Sequence, residues 1–405
     1  MMTTALFFSV PAYGHVNPSL PLVAELVRRG HRVIFVNTED FRGLVEALGA
    51  EFRAYSAIGN DFFEGLDGKR PQKVALALIM AAEQLIPEAL ALANQIKPDY
   101  LIYDTACPWG SFAAQITKLP AVVSMSLMAV ASPPPSALLK GDMLITALSI
   151  LFTDIDKGLE AHRRSRALGK KYNVPPPGLL DIFNAKGDLV LSYASTYFQP
   201  YANTVASNVR FIGRTLDDAP TDPSFSFERV AGRRLIYVSL GTINNDDVGF
   251  FKMCIEAFAG RDEFVIMSTG KRIDPAVFGT LPANIAIYAW VPQLDVLRHA
   301  SLFVTHSGLG SVHDGLYFGV PLLLVPQQGE QRFIANRVVE LGAGLLLKKA
   351  QVTTDSIRLN ADKLLADPRY KTEAIRIGES FRAAGGAAKG VDEIESLLRE
   401  RSALR

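Results

Sequence analysis

Short apolar segments alternate with longer amphipathic segments along the N-terminal third of the chain. A short apolar run is typical of a buried strand, and apolar residues that repeat every three or four positions indicate a helix. Gly30 suits the C-terminal cap of the first helix, and Pro87 is expected to interrupt the longest one. The elements predicted here are the strands Ala5–Val10, Arg32–Val36, Tyr100–Tyr103 and Ala121–Ser124 and the helices Leu20–Arg29 and Lys73–Ile96.

The alternation stops between Asn208 and Arg233 and then begins again. Arg214–Pro223 is polar, with two prolines and three acids, and follows neither the period of a strand nor that of a helix. We therefore predict an interdomain linker at 215–232. The elements predicted after it are the strands Leu235–Ser239, Phe264–Ser268, Ile285–Tyr288, Leu302–Val304 and Leu322–Val325 and the helices Gly249–Ala259, Ser311–Phe318 and Arg332–Leu341.

The strand-then-helix rhythm in both halves predicts two α/β domains, each with a mostly parallel sheet covered by helices on both faces. The domains span 1–214 and 233–389, with a cleft expected between them. Ligands bind beyond the carboxyl ends of the strands in open parallel sheets. The loops that follow strands are therefore where functional residues are expected.

Composition narrows the class of protein further. The 405 residues, of which 49% are hydrophobic, suit two or three globular domains, and 42 Lys and Arg against 41 Asp and Glu argue against a nucleic-acid partner. Cys107 and Cys254 suit neither a disulfide framework nor a CxxC metal site, which favours a cytoplasmic protein. The N-terminus lacks the basic start of a signal peptide. The apolar run Met143–Phe152 is shorter than the roughly 20 residues of a membrane span, so no stable membrane insertion is expected.

Two polar side chains of the first domain follow predicted strands. His15 lies in Pro11–Pro18, after the first strand, where an imidazole is suited to act as a general base near neutral pH. Asp104 follows Tyr100–Tyr103, where a carboxylate is suited to orient His15 and to stabilise its imidazolium form. Each has a structural alternative, since a histidine here can cap the next helix or satisfy a backbone carbonyl, and an aspartate can be the N-cap of the following helix.

Glycine-containing turns follow two strands of the second domain and predict a site for a diphosphate. Ser239–Thr242 is the first turn, and Thr305–Val312 is the second turn and opens a helix. Small residues let backbone N–H groups approach an anion, the helix N-terminus favours negative charge, and His306 adds a donor. Neither a dinucleotide fingerprint nor a P-loop fits, because His313 stands where the third glycine belongs and no Gly-Lys-Ser/Thr follows. A plain tight turn is the structural alternative.

Three more side chains of the second domain suit a nucleotide sugar. Trp290 follows a strand and offers a flat face for a nucleobase, although a single tryptophan is more often part of the core. Glu330 and Gln331 offer hydrogen bonds to sugar hydroxyls, unless they belong to a solvated loop. No cluster of His, Cys and acids has the spacing of a metal site, and there is no Gly-x-Ser-x-Gly elbow of a serine hydrolase.

These motifs resemble the donor-binding signature of the family 1 glycosyltransferases, which have the GT-B fold. The signature runs from Trp290-Val-Pro-Gln through Thr305-His-Ser-Gly and Gly319-Val-Pro to Glu330-Gln-Arg-Phe-Ile-Ala-Asn336. Gly14-His-Val-Asn-Pro18 resembles the N-terminal catalytic segment of that family, and Ser239-Leu-Gly-Thr242 resembles the opening of its second domain. The resemblance extends over the whole chain and is greatest to the bacterial macrolide glycosyltransferases.

The resemblance implies two Rossmann-like domains that face each other across a cleft, with a C-terminal helix at 390–405 that crosses back to the first domain. It implies that His15 deprotonates the acceptor, with Asp104 behind it. In the second domain it implies contacts to the uracil, ribose, diphosphate and sugar of the donor. Trp290 would stack on the uracil, the Val291 backbone would also contact it, and Gln293 would reach the ribose. The diphosphate would be held by His306, Thr242 and the backbone of Gly308, Gly310 and Ser311. Glu330 and Gln331 would bind the transferred sugar.

Two positions depart from the family pattern. Asp314 stands where the family has a glutamate that holds the ribose hydroxyls. Aspartate is one methylene shorter, so the nucleotide sits differently or a water bridges the gap. Gly310 stands where plant members have asparagine and bacterial members often have glycine.

The implied activity is transfer of a hexose, glucose from UDP-glucose, to a hydroxyl of a small apolar acceptor such as a flavonoid, a macrolide or another natural product. The acceptor oxygen attacks opposite the leaving diphosphate, so an α-linked donor gives a β-glycoside with inversion. N–H donors and His306 stabilise the leaving group without a metal, and the UDP-sugar is a co-substrate, so no cofactor is expected. Stacking on Trp290 also tolerates a dTDP-sugar.

Three other functions fit the same scaffold: a nucleotide-sugar epimerase, a non-catalytic helper protein and a lipid-linked cell-wall glycosyltransferase. The apolar stretch Ala129–Ile150 resembles an acceptor-side loop and favours transfer over epimerisation. The presence of both His15 and Asp104 argues against a helper. The basic segment His162–Arg166 is the one candidate for a membrane surface, and it is more typical of a solvated helix face.

Overall fold

The chain forms two compact units, each built on its own parallel β-sheet. Unit 1 comprises Met1–Arg214 and Ala384–Arg405, and unit 2 comprises Thr215–Ala383. The computed structural model describes residues 3–63, 70–129, 131, 153–178, 181–184, 186–216, 221–241, 245–327 and 329–403. Two α/β domains with parallel sheets were predicted from the sequence, and this class is confirmed.

The sheet of unit 1 is parallel throughout. Its strands are β1 (Thr4–Phe8), β2 (Arg32–Asn37), β3 (Glu51–Ala54), β4 (Tyr100–Asp104), β5 (Ala121–Met125), β6 (Leu189–Ser192) and β7 (Val209–Phe211). In the described part of the chain they form one seven-stranded sheet in the order β3-β2-β1-β4-β5-β6-β7. The strand order reverses between β1 and β4, which is where a doubly wound sheet opens a crevice for ligands.

Helices cover both faces of this sheet. Among the described residues that precede unit 2, the helices are α1 (Tyr13–Val16), α2 (Leu20–Arg28), α3 (Arg42–Glu46), α4 (Pro71–Ile96), α5 (Pro108–Thr117) and α6 (Ile155–Tyr172). Because successive side chains of a strand point to opposite faces, β1 contributes to two apolar clusters. Leu6 and Phe8 pack in the cluster that contains α4 and α5, and Ala5 and Phe7 pack in the cluster that contains α2.

Helix α4 is continuous, whereas the sequence predicted an interruption at Pro87. Pro87 lies on the exposed side of α4, while Leu85, Ile86 and Ala89 are buried in the core of unit 1. Burial on both sides of the proline outweighs the one backbone hydrogen bond that it cannot donate. Within the described ranges, α4 is also the one helix whose length and composition suit a membrane span, and 44% of its most apolar window is buried inside the protein.

Unit 2 repeats the arrangement of a parallel sheet between helices. Its strands are β8 (Leu235–Ser239), β9 (Phe264–Ser268), β10 (Ile285–Tyr288), β11 (Ala300–Thr305), β12 (Leu322–Leu324) and β13 (Gly344–Leu346). Where described, they pair in the order β10-β9-β8-β11-β12-β13, so the order reverses between β8 and β11. Its helices are α7 (Val248–Phe258), α8 (Gln293–His299), α9 (Leu309–Tyr317), α10 (Gly329–Glu340), α11 (Thr354–Ala366) and α12 (Pro368–Ala383).

The helix α13 (Gly386–Ala403) belongs to unit 1, although it follows unit 2 in the chain. Val391 and Ile394 are buried in the same apolar cluster as α2. A Cβ atom added at Gly390 would lie 2.9 Å from a methyl group of Leu22, so α13 packs closely on α2. The chain enters unit 1 again at Ala384, whereas the sequence placed this boundary at residue 390.

The segment 215–232, predicted as a linker, groups with unit 2. The Asp222 backbone N–H donates a hydrogen bond to the Asp295 carboxylate at 2.7 Å. The Phe225 ring meets the Tyr288 ring with 5.4 Å between centroids. Both contacts join residues that are distant in sequence. They therefore produce no repeating pattern of apolar residues within 215–232 from which they could be predicted.

Candidate active site

The first candidate residues lie at the switch point of the unit 1 sheet. His15 is in α1, a short helix that follows β1, and Asp104 is the last residue of β4. These strands are parallel neighbours, with Phe8 paired to Tyr103, so their carboxyl ends are adjacent. His15 Nδ1 lies 2.8 Å from Asp104 Oδ1. The predicted proximity of the two residues is confirmed, and we refer to them as the dyad.

The burial of the dyad is asymmetric. The Asp104 side chain is 1% exposed, whereas the His15 side chain is 21% exposed. Asp104 Oδ1 also accepts a hydrogen bond from the Ala106 N–H at 2.8 Å, so the carboxylate is fixed by the turn that follows β4. The helix-cap alternatives do not describe this geometry, because the Asp104 side chain contacts the imidazole and α5 has no side-chain cap.

The hydrogen bonds of the dyad define the chemistry of the imidazole. An ionised carboxylate only accepts hydrogen bonds, so His15 Nδ1 carries a proton toward Asp104. The other nitrogen, Nε2, then holds the lone pair of the neutral ring. A histidine in this tautomer is suited to take a proton from a hydroxyl group, and the carboxylate stabilises the imidazolium that forms.

A third polar residue, Ser126, joins the dyad and was not predicted from the sequence. It follows β5 and is buried, with its Oγ 2.9 Å from His15 Nδ1 and 2.8 Å from Asp104 Oδ2. The rule that functional residues follow strands could have identified Ser126. However, the strand was predicted to end at Ser124, and a serine carries no distinctive signal.

In unit 2, the turn that was predicted to bind a diphosphate lies at the switch point between β8 and β11. Ser307 in this turn has a φ of 68°, which is a left-handed conformation rarely adopted by a residue other than glycine. Its side chain is fully buried, and its Oγ has no hydrogen-bond partner among the described residues. Gly308 is the N-cap of α9, so Gly310 and Ser311 lie in the first turn of that helix. The backbone N–H groups of a first turn point out of the N-terminal end of the helix and have no acceptor within it. Thr242 lies outside the described residues.

The His306 ring lies between two glycines. A Cβ atom added at Gly241 would be 2.5 Å from His306 Cε1, and one added at Gly308 would be 2.4 Å from His306 Nε2. Desolvation lowers the pKa of His306 to about 4, so the ring is neutral at neutral pH. Its Nδ1 is buried and has no partner within the described part of the chain. A neutral imidazole in this position supplies one N–H donor and no net charge.

Gln293 and Asp314, both assigned to the ribose by the resemblance, contact each other. Gln293 is the first residue of α8, Asp314 is a buried residue of α9, and Gln293 Nε2 donates to Asp314 Oδ2 at 3.0 Å. On the other side, the Tyr237 hydroxyl lies 3.4 Å from Gln293 Oε1. Gln293 is therefore held between a tyrosine and a carboxylate, which fixes the orientation of its amide.

Trp290 is not a core residue. It follows β10, its side chain is 64% exposed, and it has no hydrogen bond or ring contact with another described residue. Val291, next to it, is 3% exposed and anchors the segment. An exposed indole on an anchored segment is suited to stack on a planar group, so the core alternative for Trp290 is excluded.

Glu330 and Gln331 lie at the start of α10. Glu330 is exposed, whereas Gln331 is buried, and its Oε1 accepts a hydrogen bond from the Gln327 N–H at 2.8 Å. The solvated-loop alternative therefore does not apply to Gln331, whose carbonyl group fixes the segment before α10. Across the described ranges, no three His, Cys, Asp or Glu side chains come together as a metal site would require.

Comparisons with known proteins identify the class of this fold and site. Residues 252–397 match the family described as the C-terminal domain of erythromycin biosynthesis protein CIII-like proteins. The chain is 34% identical to the NDP-glycosyltransferase YjiC of Bacillus licheniformis over 96% of both proteins. It is 30% identical to the oleandomycin glycosyltransferase of Streptomyces antibioticus, over 96% of this chain and 90% of that protein. The crystal structure of the glycotransferase of kitacinnamycin matches with a TM-score of 0.84 and 28% identity, covering 98% of this chain and 99% of that one.

The fold and the relatives define a GT-B glycosyltransferase. The chain belongs to the family 1 glycosyltransferases, in the branch that includes the bacterial macrolide glycosyltransferases. The predicted fold, family and enzyme class are thereby confirmed. The roles of individual site residues remain predictions.

Proposed function

We propose that the protein is an inverting glycosyltransferase that transfers glucose from UDP-glucose to a hydroxyl group of a small apolar acceptor. The observation that carries this proposal is the dyad, with 2.8 Å between His15 Nδ1 and Asp104 Oδ1. Its geometry leaves the lone pair on Nε2 of a partly exposed imidazole, which is what deprotonation of an acceptor hydroxyl requires.

In the proposed reaction, His15 Nε2 takes the proton of the acceptor hydroxyl. The acceptor oxygen forms a bond to the anomeric carbon as the bond from that carbon to the diphosphate oxygen breaks. The electron pair of the broken bond leaves with UDP, and attack from the opposite side inverts the configuration. Asp104 stabilises the imidazolium until the proton is released to solvent.

The donor is held by unit 2 in this proposal. Backbone N–H groups at Gly308, Gly310 and Ser311, together with His306, receive the charge that develops on the leaving diphosphate. Because the pKa of His306 is about 4, this histidine contributes a hydrogen bond and no positive charge. The exposed face of Trp290 takes the nucleobase. We expect no divalent metal to be needed.

The acceptor is expected to contact unit 1 near Tyr13. This tyrosine lies two residues before His15, is 46% exposed, and packs against Phe41 with 5.0 Å between ring centroids. A fixed and exposed aromatic ring beside the base favours a flat or apolar acceptor. The stretch Ala129–Ile150, which was predicted to form the acceptor-side loop, lies outside the described residues except at 129 and 131.

The decisive experiment is a donor-by-acceptor screen read by mass spectrometry. UDP-glucose and dTDP-glucose are each offered with a flavonoid, with a macrolide or without an acceptor, both with and without a chelator. We expect a glucoside with a β-linkage by NMR, formed from UDP-glucose and unaffected by the chelator. An epimerised nucleotide sugar in the samples without an acceptor would support the epimerase instead, and an α-linked product would contradict inversion.

A further inference from the structure

The dyad has a second buried partner in Ser126. This residue lies one position beyond β5 and is 8% exposed. Its Oγ is 2.9 Å from His15 Nδ1 and 2.8 Å from Asp104 Oδ2. One hydroxyl group therefore contacts both members of the dyad, on the side of the ring that faces the carboxylate.

The protons at this contact can be assigned by counting donors. Ser126 has a single hydroxyl proton, and ionised Asp104 has none, so the serine donates to Asp104 Oδ2. A lone pair of Ser126 Oγ then faces His15 Nδ1. The Nδ1 proton is shared between Asp104 Oδ1 at 2.8 Å and Ser126 Oγ at 2.9 Å. With two acceptors on one side, the imidazole ring is held in one orientation and one tautomer.

The backbone around Ser126 fixes the hydroxyl before any substrate binds. The Ser126 N–H donates to Thr105 Oγ1 at 3.2 Å, and the Thr105 hydroxyl donates to the Ser124 carbonyl at 3.1 Å. Thr105 is the residue after Asp104, so the loops that follow β4 and β5 are tied together. Asp104 and Ser126 consequently keep a constant separation, as preorganised catalysis requires.

We propose that Ser126 is a positioning residue of the transferase. It directs the lone pair of His15 Nε2 toward the acceptor, and it limits the basicity of the dyad by donating to Asp104. This inference rests on the proposed role of His15 as the base. Ser126 does not touch the reacting atoms, so its effect is exerted through His15 and Asp104.

Removal of the Ser126 hydroxyl is expected to raise the pKa of His15. Without the serine donor, the charge of Asp104 is less satisfied, so Asp104 stabilises the His15 imidazolium more strongly. The Nδ1 proton also loses Ser126 Oγ as an acceptor, but it keeps the ionised Asp104 Oδ1 at 2.8 Å, which is the stronger acceptor. The gain therefore outweighs the loss, and the pKa of His15 rises. The base acts only when neutral, so the acidic limb of kcat/KM moves to higher pH. Among the described residues, Cys107 and Tyr193 also interact with Asp104, and burial raises the pKa of both. Neither the Cys107 thiol nor the Tyr193 hydroxyl therefore loses its proton near neutral pH.

The test compares Ser126→Ala with Ser126→Thr and with Ser124→Ala in the full chain. Ser124 is a matched control, because it is a buried serine of β5, two residues before Ser126, and its Oγ contacts the Tyr193 hydroxyl at 2.8 Å and not the dyad. For Ser126→Ala we expect kcat to fall roughly tenfold or more and the acidic limb to rise by about half a pH unit. The affinity for UDP stays unchanged. Ser126→Thr, which keeps the hydroxyl, restores most of both losses, and Ser124→Ala keeps the native pH profile.

Proton and nitrogen NMR of the His15 ring gives a readout that is independent of turnover. The native enzyme is expected to show the proton on Nδ1, and Ser126→Ala to raise the titration midpoint. An unshifted midpoint with a native pH profile would overturn the proposal for Ser126. If His15→Ala stayed active, the proposed base would fail instead, and the two failures are therefore distinguishable.

Discussion

At the residue scale, the proposed chemistry depends most directly on the His15 imidazole. Its Nδ1 side is occupied by Asp104 and Ser126, and the ring is the only partly exposed member of that group. The residues predicted to bind the donor lie on the other unit of the chain. Substitutions at His15 should therefore separate the chemical step from donor binding.

We predict that His15→Ala lowers glycosyl transfer by at least about 100-fold, which is the usual contribution of a general base. The dissociation constant for UDP, measured by calorimetry, should stay within about twofold of the native value, since no donor-binding residue is changed. His162→Ala provides the control, because His162 is an exposed histidine of α6, a helix that carries neither residue of the dyad. Retention of a tenth or more of the native rate would show that another group is the base.

The carboxylate of Asp314 gives a second prediction at this scale. A charge-assisted hydrogen bond to a ribose hydroxyl contributes about 1.5–3 kcal/mol, so Asp314→Ala should weaken UDP binding about tenfold or more. The structure gives a second reason to expect weaker UDP binding. Asp314→Ala also removes the acceptor at 3.0 Å to which the Gln293 amide donates. The affinity is measured by calorimetry for UDP and for 2′-deoxy-UDP with both enzymes.

The four affinities form a double-mutant cycle. We expect the loss of the 2′-hydroxyl to matter for the native enzyme and to matter little for Asp314→Ala. Additive losses would mean that Asp314 supports Gln293 and does not reach the ribose. In that case the shorter side chain is explained by its pairing with Gln293 instead of by a different position of the nucleotide.

At the element scale, the turn between β11 and α9 is shaped by the packing of glycine against His306. Gly308 and Gly310 are two residues apart, and both were assigned to the diphosphate, yet their surroundings differ. A Cβ atom at Gly308 would lie 2.4 Å from His306 Nε2, whereas one at Gly310 would meet nothing within 4 Å. The two positions therefore form a matched pair.

We predict that Gly308→Ala displaces His306 and weakens UDP binding about tenfold or more, whereas Gly310→Ala stays within about twofold. Alanine at 310 keeps the backbone N–H and favours the helix, so this variant should also be slightly more stable than the native protein. Calorimetry with UDP and thermal unfolding measure the two effects. Equal losses at both positions would show that the bound diphosphate, and not His306, limits the space in this turn.

The elements also show what a sequence can predict. The dyad was predictable because His15 and Asp104 follow apolar runs, and the carboxyl ends of neighbouring parallel strands must meet. Ser126 was not, because a serine is common after strands and its two partners are remote in sequence. The contact between Gln293 and Asp314 joins two helices, and no pattern within either helix requires it. Strand β7 was missed because its three half-buried residues show no alternation.

At the scale of the whole molecule, unit 1 is discontinuous in sequence and unit 2 is continuous. The core of unit 1 is completed by Val391 and Ile394 of α13, and Arg29, the C-cap of α2, forms an ion pair with Asp392 at 2.7 Å. This exposed ion pair contributes little to stability, so the apolar contacts dominate the attachment of α13.

We predict that Ile394→Ala lowers the stability of unit 1 by about 2–5 kcal/mol, the usual loss for a buried isoleucine. Native-state hydrogen exchange should report the loss in β1 and β4 and leave β8 and β11 unchanged. Leu359→Ala is the control, since Leu359 is an exposed leucine of α11 in unit 2. Equal losses of protection in both sheets would show that the two units unfold as one.

The placement of α13 also determines the order in which the protein can be completed during translation. Domains usually fold in the order in which the ribosome makes them, the N-terminal one first. Here the nascent unit 1 exposes the apolar surface of α2 until the whole of unit 2 has been synthesised. Unit 2, being continuous, can finish first. A chain released early, before α13 is made, would therefore carry an uncovered hydrophobic face, and chaperones would be expected to recognise it.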